Sequence, residues 1–117
     1  MDATPRPTVH VVGRGIVGTR VHRLMRDLPV MIHDGRWSDV TATVPGDIVV
    51  LAHGGPVADR VRALAGRGLH VLTVGDAIPD TLALLDDPPE LDGTSLVVGA
   101  AMSPGLSGLI ARHLATQ

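Results

Sequence analysis

The feature that most constrains this chain is a series of short, unbroken apolar runs separated by helical patterns. The runs are Thr8–Val12 (TVHVV), Val30–His33 (VMIH), Ile48–Ala52 (IVVLA), Leu69–Val74 (LHVLTV) and Ser95–Val98 (SLVV). Such runs do not alternate apolar with polar residues, so they read as strands covered on both faces, as in parallel sheets. The intervening segments have helical spacing. Ile16–Leu28 carries Ile16, Val17, Val21, Leu24, Met25 and Leu28 on one face, and Pro29 stops it. Gly54-Gly55-Pro56 opens a second helix, with Pro56 suited to the first position, with Val57, Val61, Leu64 and Ala65 facing inward, and ending near Gly66 or Gly68. Ile78–Leu85 is a short third helix and Pro104–Ala115 a last one.

Strands alternating with helices predict an α/β fold with a doubly wound parallel sheet of about five strands and helices on both faces. The order expected for such a chain is 3-2-1-4-5. Gly35–Val44 is short and irregular, and Asp86–Gly93 is a polar loop. At 117 residues the chain is one domain, 1–117, with residues 1–7 a loose lead.

Composition removes several chemistries. There is no Cys, which excludes disulfides, thiolate catalysis and Cys-based zinc sites. All ten basic residues are Arg, so a Schiff-base or Walker-A lysine is excluded. Tyr and Phe are absent and there is one Trp, so aromatic platforms for nucleic-acid bases are missing. With a net charge of −2 and no basic run, nucleic acid is not an expected partner. No apolar run is long enough for a membrane span, and MDATPRPT has no signal-like apolar region, so a cytoplasmic protein is expected.

One motif carries chemistry. Gly13-Arg14-Gly15-Ile16-Val17-Gly18 is G-x-G-x-x-G between a buried strand and an amphipathic helix. Gly13 would permit the tight turn, Gly15 would let a pyrophosphate approach the backbone, and Gly18 would let the helix pack closely. The anion would sit on the free amides of the helix N-terminus. The plainer reading is that these glycines serve only strand–helix packing.

Asp34, at the end of the second strand, stands where a carboxylate bonds the adenosine ribose and favours NAD. Arg36 and Arg14 could instead pair with a 2′-phosphate and favour NADP; the balance tilts slightly to NAD. Asp34-Gly35 also reads as a simple turn.

The loops at the carboxyl edge of the sheet supply the remaining candidates. His53, Gly54, Gly55 and Pro56 stand where the second ribose and the phosphates would pass, and His53 is a weak candidate for a proton relay. His33 adjoins Asp34. His10 and His70 read as strand packing, His22 and His113 as solvent-facing, and the histidine spacing offers no metal site. Asp76 is expected to cap the following helix. Ser103 precedes Pro104-Gly105 and lies outside any G-x-S-x-G pattern, which argues against a serine hydrolase.

The segments TVHVVGRGIVGTRVHRLM, GDIVVLAHGGP, GLHVLTVGD and LVVGAAMSPGLSGLIARHLA together resemble the N-terminal cofactor domain of saccharopine dehydrogenase-like proteins. The resemblance runs from about Thr8 to Ala115, and Ser103-Pro104-Gly105-Leu106 is its most specific part. It implies a Rossmann-type NAD(P)-binding domain of an oxidoreductase acting on carbon–nitrogen bonds. The implied cofactor contacts are Gly13, Gly15, Gly18, Asp34 and the His53–Pro56 loop. Members of that family continue into a substrate domain, whereas this chain stops at Gln117. Catalysis would therefore need a partner domain or a second copy, and a homodimer is expected. The alternatives are a nucleotide-sensing domain that binds without turnover and a ligand-free structural domain.

Overall fold

A computed structural model describes residues 7–37, 43–53, 57–75, 78–98 and 112–116. Eight elements follow in order: β1 (Val9–Val12), α1 (Ile16–Leu24), β2 (Val30–His33), β3 (Ile48–Leu51), α2 (Ala58–Ala65), β4 (His70–Thr73), α3 (Ile78–Asp86) and β5 (Leu96–Val97). All five strands are parallel, and helices lie on both faces of the sheet. Residues 112–115 are helical. The rest of the expected last helix, with Ser103-Pro104-Gly105, lies outside the described residues, as do Gly54, Gly55, Pro56 and Asp76.

The strand order is β2-β1-β3-β4-β5, not 3-2-1-4-5. Two features explain the difference. Ile48–Leu51 is continuously apolar and is largely buried, so it is stable only as an interior strand. Beside β1 it gains cover on both faces, whereas β2, with Met31 48% exposed, suits the edge. The start of β3 is also tied to β1: Thr8 donates its amide to Asp47 Oδ1 at 3.0 Å, and Ile48 donates to the Thr8 carbonyl at 3.0 Å. The direction of winding therefore reverses between β1 and β3, and the carboxyl ends of these two strands flank the crevice.

The core differs between the two faces. On the α2–α3 face, Val12, Val49, Leu51 and Val71 meet Val57, Val61, Leu64, Leu69 and Leu84, all buried. Each such side chain contributes roughly 1.5–3 kcal/mol of burial free energy. Val57, Val61, Leu64 and Ala65 face inward as the spacing predicts. On the α1 face only Val9, Val11 and Val50 are fully buried, with Val21 and Met25 of α1 packed against them.

The apolar residues that share a face of α1 are unequally covered. Ile16 is 91% and Leu24 70% exposed, and Gly18 is the helix's only buried residue. α1 sits on the sheet through Gly18, Val21 and Met25. Its other apolar side chains border an apolar hollow of about 760 Å³ over Ile48, Val50, Leu72 and Val74. The helix also ends at Leu24, ahead of Pro29, because Met25 leaves the helical region (φ −102°, ψ 15°).

Candidate functional site

The site is built from the ends of β1, β2 and β3. The ladder continues past β1, with Gly13 donating to the His33 carbonyl at 2.8 Å and Ala52 donating to the Val12 carbonyl at 2.8 Å. The three ends are thereby held level, and the chain after β1 turns directly into α1.

The three motif glycines are glycines for different reasons. Gly13 has φ +119°, and a Cβ there would lie 2.6 Å from the Ala52 carbonyl oxygen. A Cβ on Gly18 would lie 1.9 Å from the Gly13 carbonyl oxygen, so only glycine lets α1 seat on the loop. Both positions are explained by packing alone. Gly15 is not: it has extended backbone (φ −74°, ψ −165°), which any residue adopts, and a Cβ there would meet nothing within 4 Å. Neither its conformation nor crowding from the described residues requires glycine at this position.

Gly15 is also the N-cap of α1. Among the described residues no side chain is seen to accept a bond from the helix's first amides, and its first turn carries no carboxylate. Thr19 Oγ1 donates to the Arg14 carbonyl at 3.2 Å, which holds the loop against the helix. A hollow of about 520 Å³ opens over this helix start, lined by Arg14, Gly15, Ile16, Thr19, Arg20 and Arg23. From Gly13 through Arg26 the chain has four Arg and no carboxylate until Asp27. The helix dipole and this cluster have the same sign, and the arrangement favours an anion.

Comparisons with protein-family models, curated proteins and solved structures find no match to this chain.

At the end of β2, Asp34 is exposed and begins a tight turn. Its Oδ1 accepts the Arg36 amide at 2.9 Å, and its carbonyl accepts the Trp37 amide at 2.9 Å. The turn reading of Asp34-Gly35 is thus correct, and the carboxylate remains at the strand end where a ribose would lie. The Arg36 side chain is on the same turn and exposed.

His53 follows β3 and packs beside Gly13 and Gly35. Its Nε2 lies 2.9 Å from Arg60 Nη1. A guanidinium only donates, so Nε2 is the acceptor and the ring proton resides on Nδ1.

Arg60 was not singled out by the motif reading. From α2 it donates to the Gly35 carbonyl at 2.9 Å and also to the Trp37 carbonyl. Its helical position gave no local sign of this role, because all its partners are distant in sequence.

A buried polar chain lies beneath β2. His10, fully buried, bonds Asp47 Oδ2 through Nε2 at 3.1 Å and His33 Nε2 through Nδ1 at 3.0 Å. Trp37 stacks on His33 with ring centroids 4.0 Å apart. Burial would raise the Asp47 carboxyl, but amide bonds from Val44 and Thr8, with the His10 ring, outweigh it and hold it below the ordinary value. His10 is thus a core histidine, as read. His70, the other strand histidine, accepts the Ser95 amide at 3.0 Å and fastens β4 to β5.

Proposed function

We propose that this chain is a dinucleotide-binding domain that holds the diphosphate of a pyridine nucleotide on the first amides of α1. Gly15 carries the reading. It is a glycine that nothing among the described residues requires, at the start of a helix whose first turn holds no carboxylate. A diphosphate lying against the backbone would account for both facts. Asp34 would receive the adenosine ribose hydroxyls through Oδ2, since Oδ1 is engaged by the Arg36 amide, and this favours NAD over NADP.

The resemblance to saccharopine dehydrogenase-like cofactor domains extends the proposal to an oxidoreductase acting on carbon–nitrogen bonds. Nicotinamide would carry the hydride, and the chain's own residues would bind and orient it. The substrate pocket would come from a partner domain or subunit. A domain that senses the nucleotide without turnover is the second reading. It is favoured by His53, the one residue suggested as a proton relay, whose Nε2 is engaged by Arg60.

Titration with NADH and NADPH by calorimetry and thermal unfolding tests the proposal. NADH at about 100 times its dissociation constant should stabilise the fold by roughly 2.7 kcal/mol, and NADPH should bind more weakly. Failure of both nucleotides to bind at millimolar concentration overturns it. Steady-state hydride transfer with candidate imines then separates enzyme from sensor.

A further inference from the structure

The segments after β2 and after β3 are separate in sequence, yet one side chain joins them. Arg60 Nη1 donates to the Gly35 carbonyl and to His53 Nε2, and Nη2 donates to the Trp37 carbonyl. The two segments also lie close together, since a Cβ on Gly35 would be in ordinary van der Waals contact with the His53 Cβ at 3.8 Å. All three acceptors are neutral. The half-buried guanidinium has no carboxylate partner among the described residues, although a charge taken from water is ordinarily paired. Its planar fork suits several fixed acceptors at once, which an ammonium cannot match.

These segments flank the end of β1 on its two sides, and the Gly35–Trp37 turn follows Asp34, which is assigned above to the adenosine half of the ligand. We infer that Arg60 is a positioning residue for that half. It sets the separation of the Gly35–Trp37 turn and His53, and it brings an uncompensated positive charge to the wall of the crevice. This rests on the dinucleotide reading of the glycine loop. The diphosphate contacts at Gly15–Gly18 do not involve Arg60, so its influence should be confined to ligands that contain adenosine.

Two probes test this by calorimetry: ADP-ribose, which carries adenosine, and inorganic pyrophosphate, which does not. Arg60→Met should weaken ADP-ribose by about tenfold or more, the loss of a charge-assisted hydrogen bond, and leave pyrophosphate unchanged. Arg60→Lys keeps the charge without the fork and should fall between wild type and the Met variant. It also provides the test if the Met variant does not fold. Arg62→Met, whose guanidinium bonds the Ala83 carbonyl on α3, is the control and should bind both probes normally. Unchanged or tighter ADP-ribose binding in the Arg60 variants, or equal loss of both probes, overturns the assignment while the dinucleotide reading stands. If the wild type binds neither probe, the dinucleotide reading itself falls, and this inference with it.

Discussion

Of the helices that begin at the carboxyl edge of the sheet, α1 and α2 treat their first amides differently. At α2, Asp80 reaches across from α3 and accepts the Val57 amide at 2.9 Å and the Ala58 amide at 3.4 Å, and Asp59 adds a carboxylate in the first turn. At α1 no side chain among the described residues is seen to do this, the first turn has no carboxylate, and arginines surround the opening. The chain has twelve carboxylates and uses Asp34, Asp47 and Asp80 on backbone amides elsewhere. The difference teaches that an uncapped start is a property of this one position rather than of the chain's composition. The α2 start is completed internally, and the α1 start has the geometry to be completed from outside.

The largest expected effect lies at Gly18. Gly18→Ala places a methyl 1.9 Å from the Gly13 carbonyl oxygen and should unseat α1, at a cost above about 3 kcal/mol in urea unfolding. Near wild-type stability there would remove the close helix–loop contact from the comparison.

Gly15→Asp gives α1 the carboxylate that α2 already has. The backbone and the open space allow it, so stability should rise by about 0.5 kcal/mol. Binding of NADH should fall by about 100-fold, because the new charge faces the diphosphate. Added stability with undiminished binding would break the contrast between the two starts.

Asp47→Asn probes a carboxylate the protein does supply. Its pKa is lowered on folding, so its contribution is complete above the unfolded value near about 3.9 and is lost as pH falls through the folded value. The substitution should cost about 1–2 kcal/mol at pH 7 and progressively less below about pH 4. A cost independent of pH in that range would show that charge is not what matters there. Asp80→Ala should cost about 1 kcal/mol by chemical denaturation and leave nucleotide affinity unchanged, as expected of a cap that serves only the fold.

Local pattern reveals much of this architecture and little of its polar wiring. The strands Val9–Val12, Ile48–Leu51 and His70–Thr73 lie within the apolar runs that predict them, because a doubly covered strand must be continuously apolar. The strand order is not legible in the same way. It depends on Asp47 accepting the Thr8 amide, a contact between residues 39 apart in sequence. The site divides likewise. Glycine spacing marks Gly13, Gly15 and Gly18, but only three-dimensional surroundings separate the two that pack from the one that does not. Arg60 and Asp80 find their partners on other elements, so neither stands out in a linear reading. The apolar face of α1 is legible in its spacing and its burial is not, because periodicity reports which residues share a face, not how much of that face the sheet covers.

Trp37 stacks on His33 at the corner where β2 gives way to the Asp34 turn, and it is the only indole in the chain. Ultraviolet emission from this protein therefore comes from one address. Reduced nicotinamide absorbs where indole emits, so a docked NADH would draw excitation energy from that single donor, and a bound nucleotide would announce itself optically without any label.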